Sequence, residues 1–196
     1  MSRSAEITRT TRETDIAMSL DLDGSGGGER STGVGFLDHM LDALARHGRL
    51  DLDVRARGDL AQTGPHHTVE DVGIVFGQAL DEALGDRAGI LRYGEAVVPM
   101  DESRASAAID ISGRPLAVFE GDWPERPVAD LEEGLAQEML RAVASTAKLT
   151  LHVRIEAAGN DHHVVEAAFK AFALALRRAV ALDPTETGVP STKGLL

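Results

Sequence analysis

Two stretches of the sequence decide the fold: GPHHTVEDVGIVFGQAL at residues 64–80 and NDHHVVEAAFKAFALAL at residues 160–176. Each stretch places two adjacent histidines three residues before a glutamate, at the head of an apolar run with helical spacing. The histidines and the glutamate of the second stretch all lie 96 positions after their counterparts in the first. An unusual arrangement that occurs twice at a constant interval indicates an internal repeat.

Weaker similarities extend this repeat along the chain in a constant order. Three further pairs of segments match: RLDLDVR with KLTLHVR, DHMLDAL with QEMLRAV, and ETDIAMSLDLDG with ESRASAAIDISG. The matches pair His39 with Glu138 and Glu13 with Glu102. We therefore interpret the chain as a duplicated unit.

Hydrophobic periodicity predicts the elements of each unit. RLDLDVRA and KLTLHVRIE alternate polar and apolar residues, as half-buried strands do, and so do the regions around residues 6–22 and 104–119. FLDHMLDALARHG, DLEEGLAQEMLRAVAST and the two histidine-headed runs have helical spacing. The sequence thus predicts an α+β fold in which each half is strands, helix, strand, helix. The glycine-rich DGSGGGERSTG is interpreted as a turn or a mobile loop.

The composition excludes several classes of protein. A chain of 196 residues suits one domain, and the absence of cysteine removes disulfides, thiolate metal sites and cysteine nucleophiles. A formal net charge of −12 argues against a nucleic-acid or acidic-lipid surface, so an anionic ligand would need a local cluster of cations. Without an apolar run of membrane-spanning length or a signal-peptide core, we expect a cytoplasmic protein with no membrane partner.

Helix geometry limits what the histidines can bind. His66 and Glu70 are four residues apart and share one face, whereas His67 lies about 100° round the helix and points to a different ion. The second copy contains the equivalent residues His162, His163 and Glu166. Two such helices facing each other could build two mixed sites, with His39 and Glu138 as further ligands. A single such motif is usually a solvated helix start, but two at equivalent positions favour a metal, with manganese, zinc, iron and cobalt all compatible.

Several motifs together carry a resemblance to a known family. FLDHMLDALARHG, HHTVEDVGIVFGQAL, PMDES, SGRP, HHVVEAAFKAFALALRRA and GVPSTKG resemble the imidazoleglycerol-phosphate dehydratases over nearly the whole chain. The resemblance implies a hydro-lyase of histidine biosynthesis that converts imidazole glycerol phosphate to imidazole acetol phosphate. It also implies helices packed between two mainly antiparallel sheets, two Mn²⁺ ions per subunit at subunit contacts, and a homo-oligomer of 24 subunits.

The same resemblance sets the expected domain organisation. We expect one dehydratase domain over residues 1–196, made of two repeats at about residues 5–88 and 93–184. Residues 185–196 would follow as a C-terminal tail that binds substrate.

The resemblance assigns two sets of metal ligands. One Mn²⁺ would be bound by His39, His67, His162 and Glu166. The other would be bound by His66, Glu70, His163 and Glu138. Many relatives have histidine at the position of Glu138, so this is the one departure in the metal set. Because carboxylate oxygen is a good manganese ligand, we expect this site to survive with altered affinity.

The remaining expected site residues serve proton transfer and substrate binding. By resemblance, Glu13 is the acid/base residue that also contacts substrate, and its repeat partner Glu102 is a second candidate for catalysis. The expected substrate-binding residues are His47, Arg92, Arg114, Ser191, Thr192 and Lys193. Guanidinium groups and hydroxyls suit phosphate oxygens.

Two other functions would use the same histidines. A metal-dependent hydrolase would need the metal ligands but no imidazole in its substrate, and a metal-stabilised assembly subunit would need no catalytic residues. Glu13, Glu102 and the cationic residues argue against the assembly subunit. The motifs expected to bind the imidazole ring occur together with those expected to bind the phosphate, and this combination argues against the hydrolase.

Overall fold

The two halves of the chain repeat one order of elements in the computed structural model, which describes residues 3–196. The first half contains β1 (Ser4–Thr10), β2 (Thr14–Asp21), β3 (Arg30–Ser31), α1 (Gly35–Gly48), β4 (Asp51–Gly58), α2 (Leu60–Thr63) and α3 (His66–Leu84). The second half contains β5 (Tyr93–Met100), β6 (Ser103–Asp110), β7 (Leu116–Glu120), α4 (Leu135–Thr146), β8 (Thr150–Ala157) and α5 (Asp161–Ala179). Met1 and Ser2, the first residues of the expected domain, lie outside the described residues.

Each half forms a four-stranded sheet with the same topology. The strand orders are β1-β2-β4-β3 and β5-β6-β8-β7. The first three strands of each sheet pair antiparallel, whereas β3 and β7 pair parallel with β4 and β8 at the edges. The predicted α+β fold with a duplicated unit and mainly antiparallel sheets is confirmed.

The helices form a layer between the two sheets. Helix α3 packs on β1 and β2, and α5 packs on β5 and β6. Helix α1 of the first half packs on α5 of the second, and α4 of the second half packs on α3 of the first. Each half therefore places its first long helix against the histidine-headed helix of the other half, which brings α1 to the head of α5.

Small residues allow α3 and α4 to approach closely. A Cβ atom added at Gly77 would lie 2.0 Å from Thr146 Oγ1 and 2.7 Å from the carbonyl oxygen of Val143. The Thr146 hydroxyl cannot move away freely, because it is 3.0 Å from the Ile74 carbonyl and 2.9 Å from that of Ala142. The spacing between the two helices thus depends on glycine at this position.

The glycine-rich segment folds back on β4. Asp51 Oδ1 accepts hydrogen bonds from the backbone N–H groups of Ser25, Gly26 and Gly27 at 2.8, 3.1 and 2.8 Å. These bonds favour the turn over the mobile loop that the composition also allowed. Among the helices of residues 3–196, none combines the length and apolar character that crossing a bilayer requires.

Replacing Gly77 with alanine should destabilise the fold by about 1–3 kcal/mol, because overpacking at the helix crossing outweighs the better helix propensity of alanine. Urea unfolding of the two chelator-treated proteins, at the same protein concentration, measures the difference in their free energies of unfolding. Gln78→Ala, at the exposed neighbouring position, is the control and should stay within about 0.5 kcal/mol of the wild type. A Gly77→Ala variant as stable as this control would contradict the packing argument.

Candidate functional site

Two histidines and a glutamate from different halves of the chain meet at the head of α5. His162 Nε2 lies 3.2 Å from Glu166 Oε2, and His39 Nε2 of α1 lies 3.5 Å from the same oxygen. One potential ligand atom from each of the three residues falls within 4.8 Å of the others. The Phe36 ring packs edge-on against His162, with the ring centroids 5.0 Å apart. Two imidazoles and a carboxylate converging in this way suit a divalent transition metal.

A lysine one turn further along α5 holds Glu166 in its ionised form. Lys170 Nζ lies 2.6 Å from Glu166 Oε1 and 3.4 Å from the sulfur of Met100. Burial opposes ionisation of Glu166, but the hydrogen bond and charge of Lys170, with His39, outweigh it and lower the pKa of this carboxyl. The lysine takes one carboxylate oxygen, which leaves the other facing the two histidines.

The head of α3 separates its two histidines. His66 Nε2 lies 3.8 Å from Glu70 Oε2, one turn away on the same face. The His67 ring is turned 89° from that of His66, and its Nδ1 lies 3.0 Å from Asp59 Oδ2. The hydrogen bond to Asp59 raises the pKa of His67, and nearby Glu13, with Oε2 4.0 Å from Nδ1, acts in the same direction.

The second histidine of α5 is also bonded to a carboxylate. His163 Nδ1 lies 3.1 Å from Glu102 Oε1, which also accepts the backbone N–H of Asn160 at 2.6 Å. The N–H donors of Asn160 and Glu102 itself, together with His163, lower the pKa of Glu102 to about 2. His163 Nε2 lies 3.9 Å from Asp101 Oδ2. Glu102 is thus a fixed, ionised hydrogen-bond acceptor.

The first expected ligand set is brought together in part within one chain. His39, His162 and Glu166 converge, whereas His67 lies with Asp59 at the head of α3. Three ligands of this set are therefore in place.

The second expected ligand set is also divided. His66 lies near Glu70, but His163 belongs to the group that it forms with Asp101 and Glu102. Glu138, at the head of α4, forms an ion pair with Arg141 one turn along.

Apart from Glu13 and His47, the expected substrate-binding residues line one open cavity at the C-terminal tail. They are Arg92, Arg114, Ser191, Thr192 and Lys193. Arg92, which has a positive φ of 69°, donates to Asp110 Oδ1 at 2.7 Å and to the Pro190 carbonyl at 2.9 Å. Arg114 is largely exposed, with 68% of its side chain accessible, and its Nη2 lies 3.6 Å from Asp110 Oδ2. The cavity thus holds the local cations that an anionic substrate requires.

His47 lies away from this cavity, at the end of α1. Desolvation lowers its pKa, with Lys170 acting in the same direction and Glu166 opposing both. Its electrostatic neighbours place His47 on the side of the site that contains Glu166.

Comparison with known proteins agrees with this geometry. The sequence profile of the family described as imidazoleglycerol-phosphate dehydratase matches residues 32–176. The chain is 54% identical over 194 residues to the imidazoleglycerol-phosphate dehydratase of Methanoculleus marisnigri, covering 99% of this chain and 100% of that protein. It is 55% identical over 197 residues to the one from Acidiphilium cryptum, covering 100% of each. The chain belongs to the imidazoleglycerol-phosphate dehydratase family.

Solved structures of dehydratases share the fold. The enzyme from Staphylococcus aureus superposes with a TM-score of 0.83 at 38% identity, covering 92% of this chain and 99% of that one. The enzyme from Pyrococcus furiosus also superposes with a TM-score of 0.83, at 35% identity, covering 97% of this chain and 100% of that one. The predicted family and the predicted enzyme class, a hydro-lyase, are confirmed.

Two residues that contact this dehydratase site, Asp59 and Lys170, were not singled out in the sequence. Lys170 could have been found, because it is four residues after Glu166 on one helix face. Asp59 lies in the segment GDLAQTGP, where the two repeats differ in length, so its contact with His67 had no counterpart to reveal it.

Glu102 should stabilise the folded chain in a pH-dependent way. Because folding lowers its pKa from 4.5 to about 2, its contribution is fully present above pH 4.5 and is lost as the pH falls towards 2. The gap in urea midpoint between chelator-treated wild type and Glu102→Gln should therefore narrow below about pH 4.5. Glu125→Gln, at an exposed loop position, corrects for the loss of one negative charge. A gap that widens on acidification would refute the stated environment of Glu102.

Proposed function

We propose that the protein catalyses the manganese-dependent dehydration of imidazole glycerol phosphate to imidazole acetol phosphate in histidine biosynthesis. The observation that carries this proposal is the convergence of His39, His162 and Glu166 from the two repeats. Family membership supports the substrate, because the relatives bear the name of this reaction.

The residues present fit a manganese ion. The donor set is imidazole nitrogen and carboxylate oxygen without thiolate, which suits Mn²⁺. His39, His162 and Glu166 would hold one ion, and His66, Glu70 and Glu138 would contribute to a second. When bound, such ions supply Lewis-acid stabilisation of negative charge on the substrate imidazole.

Incomplete ligand sets within one chain support a homo-oligomer. His67 Nδ1 faces Asp59 and His163 Nδ1 faces Glu102, so neither histidine joins, within one chain, the ligand set that the family resemblance assigns to it. Their Nε2 atoms would complete the sites of neighbouring subunits, giving two Mn²⁺ per subunit. An assembly of 24 subunits in the cytoplasm stays a prediction.

The cavity at the C-terminal tail would receive the phosphate. Arg114 and Lys193 offer exposed cationic groups, and the hydroxyls of Ser191 and Thr192 lie on the same rim. Arg92 would act partly through the tail, because its guanidinium donates to the Pro190 carbonyl. Residues 185–196 would thus form the substrate-binding tail that the sequence predicted, and His47 would contact substrate from the Glu166 side.

Glu13 is the proposed acid/base residue. The reaction must remove a proton from a carbon that bears a hydroxyl and has no neighbouring carbonyl to acidify it. Electrons from the ionised imidazole ring can expel the adjacent hydroxyl, and a carboxylate can then take the proton to give the enol of the ketone product. Glu13 is half exposed and 4.0 Å from His67 Nδ1, so its carboxylate is accessible and lies beside a proposed metal ligand.

Chelation should abolish turnover and Mn²⁺ should restore it. The test is formation of imidazole acetol phosphate by chelator-stripped protein, before and after addition of Mn²⁺. Restored product supports the proposed function and shows that Glu138 is tolerated. Metal uptake without turnover would overturn the proposal in favour of an assembly subunit. Hydrolysis of a simple ester without dehydration would favour the hydrolase.

Glu13→Gln should lower kcat by about 100- to 10,000-fold, because glutamine cannot accept the substrate proton. Titration calorimetry of the stripped variant should show Mn²⁺ affinity close to that of the wild type. Glu6→Gln, which makes the same change on the exposed side of β1, is the control. Full turnover by Glu13→Gln would exclude Glu13 as the base.

A further inference from the structure

The repeat-equivalent residues Glu13 and Glu102 have different environments. Glu102 lies 3.1 Å from His163 Nδ1 and accepts the N–H of Asn160. Glu13 lies 4.0 Å from His67 Nδ1, which is held instead by Asp59 at 3.0 Å. A sequence duplication by itself would place both glutamates alike, so the difference must come from their surroundings.

In the second half, the backbone leaves space for the Glu102 side chain and donates a hydrogen bond to its carboxylate. A Cβ atom added at Gly159 would lie 2.2 Å from Glu102 Cγ and 2.5 Å from Oε1, so any side chain there would displace Glu102. The backbone N–H of Asn160 is free of helical bonding and donates to the carboxylate. Glycine at position 159 and this N–H together fix the position of the Glu102 carboxylate.

The first half lacks the equivalent glycine and hydrogen-bond donor beside Glu13. Counted back from the aligned histidines, Thr63 occupies the place of Gly159, so the position that lacks a side chain beside Glu102 has one in the first half. Gly64 occupies the place of Asn160, and its N–H is already bonded to the Leu60 carbonyl at 3.2 Å in α2. Glu13 therefore lacks both the neighbouring glycine and the available backbone donor that Glu102 has.

Asp59 supplies the missing acceptor from another part of the chain. Its two oxygens lie 3.0 and 3.3 Å from His67 Nδ1, and Thr63 Oγ1 lies 3.4 Å from the same nitrogen. An ionised carboxylate only accepts hydrogen bonds, so Nδ1 carries the proton, and in the neutral imidazole that binds a metal the lone pair is then on Nε2. The same reasoning assigns the Nδ1–H tautomer to His163 beside Glu102.

We propose that Asp59 and Glu102 are positioning residues that fix His67 and His163 with Nε2 available to the metal. By occupying His67 Nδ1, Asp59 leaves Glu13 unbound and free for proton transfer. This inference rests on the proposed function, and it removes Glu102 from the catalytic residues that the sequence suggested. Carboxylates that hold the second nitrogen of a metal-binding histidine commonly affect metal affinity.

The test compares Mn²⁺ affinity of the stripped full-length protein by titration calorimetry with kcat of the Mn²⁺-saturated protein. Asp59→Ala should weaken Mn²⁺ binding by about 10- to 100-fold, whereas Asp59→Asn, which keeps an acceptor oxygen, should recover most of the affinity. Glu102→Gln keeps an acceptor too, so its loss of Mn²⁺ affinity should be smaller than that of Asp59→Ala, and its kcat at Mn²⁺ saturation should fall far less than that of Glu13→Gln. Asp122→Asn, at an exposed loop position, is the charge-matched control.

The outcomes separate the inference from the proposed function. Wild-type protein that fails to bind Mn²⁺ or to turn over contradicts the proposed function itself. With an active wild type, unchanged Mn²⁺ affinity in Asp59→Ala overturns the positioning role of Asp59. A loss of kcat in Glu102→Gln as large as that in Glu13→Gln, at full Mn²⁺ saturation, restores Glu102 as a catalytic residue. If Asp59→Ala does not fold, His67→Ala decides: a Mn²⁺ affinity equal to that of the wild type would show that His67 is not a ligand and would also overturn the inference.

Discussion

The rotation of about 100° between successive residues of a helix determines how this site is built. Adjacent histidines at a helix head cannot face one ion, and their rings are turned 89° apart in α3 and 82° apart in α5. The first histidine of each pair shares a face with the glutamate four residues later. The second faces the neighbouring loop and hairpin, where a carboxylate holds it. Under the proposed ligand assignment, one motif would therefore serve two sites, and the duplication provides two copies of it.

Each half packs a helix against the histidine-headed helix of the other half, and this packing brings residues of the two halves together at the helix heads. Because α1 packs on α5, His39 reaches the pair formed by His162 and Glu166. The equivalent packing of α4 on α3 places Glu138 at the head of α4, but its carboxylate is paired with Arg141. The two ends of the helix layer are thus alike in backbone and different in chemistry. A ligand set with one more carboxylate carries more negative charge, which should make that ion the weaker Lewis acid.

The sequence predicted the features that depend on local pattern and on the repeat. The offset between the two halves is enough to pair His39 with Glu138, and helical spacing is enough to pair His162 with Glu166. The parallel edge strand β3 could not be predicted, because two residues are too few to show alternation. The role of Asp59 was also hidden, since it depends on a tertiary contact in the one segment where the repeats differ in length. Likewise, only the folded chain shows that Arg141 takes the carboxylate of Glu138.

Local charge would allow an acidic chain to bind the phosphate that we propose for the cavity at the C-terminal tail. Arg92 is mostly buried, and its hydrogen bond to Asp110 raises its already high pKa, so much of its charge is balanced within the protein. Its hydrogen bond to the Pro190 carbonyl holds the tail beside the cavity. Arg114 shares Asp110 only at 3.6 Å and remains exposed, so it offers more uncompensated charge to a ligand. The two arginines are therefore not equivalent: Arg92 holds the tail beside the cavity, whereas Arg114 with Lys193 would supply most of the attraction for the proposed phosphate. Salt would screen this attraction, because these groups are exposed.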